Sequence, residues 1–155
     1  MDFGNGNNLD NLLLAHIPYT RNAIGQCFAG SRAAFNDIVS RDVWGGSPPA
    51  WHLMCLTVQE RTLTVFNEAT PSAFELTQAL PVVLRARSYL ARSHYDNDCL
   101  FVGDLAHLRL FKRTLSPPEV AQLSAGRATA PPPRSRSPAP PPVRRAWPSC
   151  ATLMG

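Results

Sequence analysis

Two short runs, WHLMCLTV (51–58) and TLTVFNE (62–68), are separated only by Gln59-Glu60-Arg61. This pair limits most strongly what the chain can fold into. The first run is compact and apolar, the length of a strand covered on both faces rather than of a helix. The second alternates Thr with apolar residues and is rich in β-branched types, so it reads as the first run's hairpin partner. The same punctuation recurs along the body. Asn-Gly-Asn-Asn at 5–8 is a turn signal, and NLLLAHI (11–17) follows it as a short apolar run. GQCFAGSRAAF (25–35) has Gly25 and Gly30 flanking a candidate strand and stays ambiguous. RDVWGGSPPAW (41–51), with Gly45, Gly46, Pro48 and Pro49, must be loop, and TPSAFELTQALP (70–81) reads as loop with one turn of helix.

Further on, RARSYLAR (85–92) alternates, with Ala86, Ser88 and Leu90 on one side and Arg85, Arg87 and Tyr89 on the other. SHYDND (93–98) is a polar loop. DLAHLRLF (104–111) alternates again, with Ala106, Leu108 and Leu110 expected to be buried and His107 and Arg109 outward. LSPPEVAQL (115–123) changes period. Ser116 is an N-cap candidate, Pro117 suits the first helical position and Glu119 completes an S-x-x-E box, so a short helix should run to Gly126. Many short strands and one capped helix predict an all-β sandwich or jelly roll over residues 1–126.

Residues 127–155 form a different segment. Eight of the 15 prolines lie between Pro131 and Pro148, and five arginines occur after Gly126 with no acid. Proline lacks a donor and fixes φ, so this tail is expected to be extended and disordered. Without it, ten basic residues face eleven acids, a net charge of −1. Such a body has no overall field for nucleic acid, so no nucleic-acid partner is expected. Pro138-x-x-Pro141 in the tail is a candidate SH3 or WW ligand, against the alternative of a solvated linker.

Cys27, Cys55, Cys99 and Cys150 form no C-x-x-C pair, which argues against a zinc site. In the body, free thiols are preferred over a disulfide, which stays open. No apolar run is long enough to span a membrane. The N-terminus lacks the basic region and long apolar core of a signal peptide.

Three segments carry a family resemblance: DFGNGNNLDNLLLAH (2–16), WHLMCLTVQERTLTVFNE (51–68) and SYLARSHYDNDCLFVGDLAHLRLFKRTLSPPEVAQL (88–123). In this order they resemble the strand–turn–strand, hairpin and closing strand–loop–strand–helix of laminin-G-like, concanavalin A-like lectin/glucanase domains. The resemblance covers most of residues 2–124. It implies a jelly-roll β-sandwich, incomplete because the family carries further strands before the DFGNG segment. It also implies an extracellular or cell-surface setting. Two departures weaken residue-level transfer: Ala106 and His107 stand in place of the family's acidic pair, and Glu68 stands where a turn glycine is usual.

The related glucanases use an E-x-D-x-x-E strand, which is missing here. Glu60, Glu68, Glu75 and Glu119 are isolated, so no enzyme is expected. The expected role is non-catalytic recognition of a glycan or an extracellular protein. The alternative is a degenerate or fragmentary structural domain of a larger surface protein, with no ligand of its own. For sugar binding, Trp44 and Tyr95 could stack on a pyranose face while Asn97 takes its hydroxyls. Burial as a loop anchor is an equal reading for Trp44, and Trp51 is expected in the core. Asp96 and Asp98 are candidate calcium ligands, the only cofactor the sequence suggests. The opposing reading is that Asp and Asn are ordinary turn formers.

Overall fold

A computed structural model describes residues 1–44 and 50–126. Its eight strands are β1 (Asp2–Gly4), β2 (Leu12–His16), β3 (Ala23–Ala29), β4 (Arg32–Ser40), β5 (Met54–Gln59), β6 (Thr62–Asn67), β7 (Thr70–Glu75) and β8 (Arg87–Tyr89), followed by helix α1 (Pro117–Gly126). They form two antiparallel sheets, one ordered β4-β3-β2-β1-β8 and the other β5-β6-β7. The fold is an all-β sandwich with one short helix. The predicted disordered tail (127–155), its PxxP and the Gly/Pro centre of the 41–51 loop lie outside the described residues.

The core lies between the sheets. Leu14, Ala23, Cys27, Ala34 and Val39 from the first sheet meet Leu63 and Val65 from the second, with Val43 and Leu76 closing the cluster. Phe35 and Phe74 pack across the gap with tilted rings, their centroids 4.9 Å apart. Gly25 is where the packing is tightest. A Cβ there would lie 2.6 Å from Val39 Cγ1, and Phe35 and Leu63 are also close. The glycine that made the 25–35 segment ambiguous therefore belongs inside a strand. Gly30, at φ 59°, opens the tight turn to β4. Cys27 is fully buried in this core, and burial pushes its thiol up to about 12. Cys27 and Cys55 are free, whereas Cys99 is disulfide-bonded, so the free-thiol reading holds for two of the three body cysteines.

The β5–β6 hairpin forms as read, starting at Met54. Trp51 precedes it, half-buried and outside both apolar clusters, not in the core as expected. Three other expectations are corrected. Residues 70–75 are strand, not loop or helix, because Glu68 turns the chain at φ 57° and brings Phe74 beside Leu63. The 85–92 run yields only three strand residues, and Leu90 is exposed. The 104–111 run forms no strand. Leu105, Leu108, Leu110 and Phe111 are 61, 53, 70 and 47% exposed. Alternation buries one face only if a neighbouring strand satisfies the backbone, and among the described residues the 104–112 backbone makes no hydrogen bond.

Glu68 holds a left-handed conformation that a non-glycine residue adopts at a cost of about 1 kcal/mol. Its carboxylate offsets this. Oε1 accepts the Leu53 N–H at 3.2 Å, and Oε2 accepts the Ser124 hydroxyl at 2.9 Å, tying hairpin to helix. The helix caps the outer face of the small sheet, where Val120 and Leu115 pack on Phe66. Its N-terminus is held by Glu119, whose Oε2 accepts from the Ser116 N–H and hydroxyl, each at 2.8 Å. The Arg113 guanidinium donates to the same carboxylate at 3.0 Å. The box is thus closed from the glutamate side, as S-x-x-E predicts.

Two outcomes follow from this packing. Gly25→Ala should lower unfolding free energy by about 1–3 kcal/mol in a denaturant titration, because Val39 must move. Glu119 sits at about 2, below its ordinary 4.5, chiefly through Arg113 and then Ser116. A depressed carboxylate stabilises the fold above the unfolded value and loses that contribution as pH falls toward 2. Thermal melts between pH 5 and 2 should therefore show a decline that is smaller in Glu119→Gln. An equal decline in both proteins would remove the assignment.

Candidate functional site

The predicted polar loop 93–98 is held in place by a buried side chain at the other end of the body. Asp2 on β1 is fully buried, as is Asn11 just before β2. Asp2 Oδ1 accepts from Asn11 Nδ2 at 2.9 Å, and Oδ2 accepts from the His94 backbone N–H at 2.9 Å. Oδ2 is also 2.9 Å from His94 Nδ1, and the His94 side chain is 3% exposed. The Asn11 amide nitrogen lies 3.1 Å from the same Nδ1, and the carboxylate contact is a hydrogen bond when that nitrogen carries a proton. His94 Nε2 is buried with no protein partner among the described residues. Gly4 has to be glycine beside this knot, since a Cβ would sit 2.7 Å from Asn11 Nδ2.

The turn at 5–11 is built by its own amides and carboxylates. Asp10 Oδ1 accepts from Gly30 N–H at 2.7 Å and Oδ2 from Asn5 Nδ2 at 3.2 Å. Arg85 Nε donates to the Asp10 carbonyl at 2.7 Å, so this arginine points onto the turn and not into solvent. Asn8 and Asp10 have φ of 54° and 55°, which short polar side chains tolerate best.

Tyr95 leans over this turn. Its hydroxyl lies 2.6 Å from Asn8 Oδ1 and 2.7 Å from Gln26 Oε1. One phenol proton serves one contact, and the Gln26 amide can turn to donate the other. Burial raises the phenol above its usual range, with the Asn8 bond opposing. Tyr95 therefore offers a ring edge with a committed hydroxyl. Asn97 is exposed at the loop tip. Asp98 Oδ2 accepts from Ser93 at 2.6 Å, and exposed Asp96 lies 4.0 Å from Arg92. Calcium takes six to eight oxygens. The loop keeps Asp96 and Asp98 near each other in sequence, but among the described residues no three or more His, Cys, Asp or Glu side chains gather to hold a metal.

Trp44 sits elsewhere, by the far end of β2. It packs on the core, edge-on to His16 at 6.0 Å and to Phe101 at 6.2 Å. Its carbonyl accepts from Arg21 Nε at 2.9 Å, and its indole nitrogen is buried. The anchoring geometry is present, and Trp44's ring contacts are with His16 and Phe101, not Tyr95.

A second place emerges only once the hairpin is registered. Thr57 pairs with Thr64 and Gln59 with Thr62, so these four share the outward face of the small sheet. Thr114 bridges onto it, its hydroxyl donating to the Val58 carbonyl at 3.1 Å. Together they line two adjoining depressions of about 280 and 600 Å³, with Phe66, Ser116 and Pro117 at one end and Glu60 at the other. Among the described residues the Thr62 and Thr64 hydroxyls and the Gln59 amide make no hydrogen bond, leaving them available to a polar ligand. The signal was present in LTVQERTLTV, as polar residues at every second position on each side of a two-residue turn.

No family model matches this chain, and no curated protein matches it. Among solved structures, an S-layer domain-containing protein (residues 221–444) from Clostridium thermocellum ATCC 27405 is similar at 16% identity and a TM-score of 0.45. The alignment covers 80% of this chain and 61% of that one. A likeness that distant supports no residue or function.

The knot yields a clear outcome. Asp2→Ala removes the acceptor from three buried donors and should cost about 3 kcal/mol in chemical denaturation. Protease nicking should then appear first in the 93–98 loop. An unchanged midpoint would mean that the knot is not what holds the loop.

Proposed function

We propose that this chain is a non-catalytic recognition domain of laminin-G-like, concanavalin A-like jelly-roll type, working at a cell surface or outside the cell on a glycan. The observation that carries the reading is the hydroxyl- and amide-lined groove. Thr57, Gln59, Thr62, Thr64 and Thr114 give it several uncommitted or weakly committed polar groups, and Phe66 and Pro117 give it an apolar end. Sugar binding needs that mixture, and the larger depression falls within the usual size of small-ligand sites. Among the described residues Glu60 is the only acid lining the groove, whereas glycoside hydrolysis uses two facing carboxylates. The exposed tip at Asp96 and Asn97 remains a candidate second contact, with calcium through Asp96 and Asp98 as a condition to vary.

A structural reading, in which the domain has no ligand of its own and serves as part of a larger surface protein, has its own support. Leu105, Leu108, Leu110 and Phe111 are exposed in a row, and a surface of that kind is suited to another polypeptide.

A glycan array probed with and without calcium separates the two. Binding by the full chain should weaken about tenfold in Thr64→Val, which removes one hydroxyl from the groove. Asp98→Ala should act only if calcium matters. Failure to bind any glycan under either condition would leave the structural reading. Release of reducing sugar from β-glucan would overturn the non-catalytic one.

A further inference from the structure

Residues 104–112 have the alternation of a strand and none of its pairing. Leu105, Leu108, Leu110 and Phe111 are about half to two-thirds exposed, and the backbone between them has no hydrogen-bond partner among the described residues. His107 lies at φ 55°, a kink in the middle of the run. Free backbone donors and acceptors beside exposed leucines form a template for an added strand. The charge pattern indicates which strand fits.

Asp104 and Lys112 are the first and last residues of the segment, each four positions from Leu108. In an antiparallel pair of identical strands centred on Leu108, residue 104 of one copy faces residue 112 of the other, and the reverse. Opposed residues point to the same side, so both ion pairs fall on the face that carries Ala106, Leu108 and Leu110. Leu108 meets Leu108 at the two-fold axis, Ala106 meets Leu110, and on the opposite face Leu105 meets Phe111. His107 opposite Arg109 is the one unfavourable juxtaposition. Shifting the centre by two residues, to Ala106 or Leu110, separates the two charges.

We infer that residues 104–112 form an antiparallel β-ladder with the same residues of a second copy of this chain, in the register that sets Asp104 against Lys112. The pairing straightens the kink at His107 and covers the exposed leucines on both partners. It uses the open segment alone and is independent of the groove reading.

The test is sedimentation of the full chain across a concentration series, alongside Asp104→Lys, Lys112→Asp and the double variant. Positions 104 and 112 are exposed, so circular dichroism should show all four proteins folded. A concentration-dependent dimer is expected. Each single reversal turns two attractive pairs into repulsive ones and should raise the dissociation constant about tenfold, and the double variant should restore it. A monomer at every concentration overturns the inference. So does a dimer indifferent to either reversal or not rescued by the double variant. Slow hydrogen exchange at 104–112 in a monomer would also overturn it, by showing that something other than a second copy covers the strand.

Discussion

The Asp2 carboxylate is the interaction on which most of the architecture depends. It lies on a three-residue strand at the start of the chain, too short to be held by its ladder alone. By accepting from Asn11 and from His94 it joins the first strand, the 5–11 turn and the loop after β8. That junction brings Asp2 and Tyr89, far apart in sequence, side by side in one sheet, since β8 adds beside β1 after an excursion through the whole second sheet. A buried charge with all its acceptors used costs far more to disrupt than to keep. The knot therefore specifies the strand order more than it adds stability.

What was legible in the sequence divides along a physical line. The β5–β6 hairpin and the capped helix were legible because their determinants are local: a short polar turn between a compact apolar run and an alternating one, and a glutamate three residues after a serine. β7 was not, because its partner is supplied by a turn with Glu68 where a glycine would have signalled it. The 104–111 run was misread in the opposite way. Period-2 alternation records which face a strand would bury, and it is silent on whether a neighbour exists to complete the ladder. Site residues followed the same division. Tyr95, Asp96, Asn97 and Asp98 were named together because they are contiguous, but the side-chain bonds that commit Tyr95 come from Asn8 and Gln26, far away in sequence. The threonine groove escaped notice because it exists only across the hairpin.

The two polar regions of the molecule are built on opposite principles. Around Asp2 and Asp10 nearly every donor has its acceptor, and the result is rigidity. On the outer face of the small sheet, polar groups are left without internal partners while the hairpin and Thr114 fix their positions. On the proposed reading, a surface held still but not satisfied internally would bind with little ordering cost, which favours the groove over the loop as a ligand site. The helix contributes to this by covering one end of that face with Leu115 and Val120, leaving the groove bounded on one side.

Cys27 has a different consequence. Attack on a disulfide, a metal or an alkylating agent requires the thiolate. Burial pushes its thiol up to about 12, so the thiolate is scarce at neutral pH and the side chain packs as a small apolar group. The sandwich thus keeps a latent nucleophile between its sheets. It is inert while they are closed and ordinary once they part, so its alkylation rate would serve as a built-in clock for opening of the core.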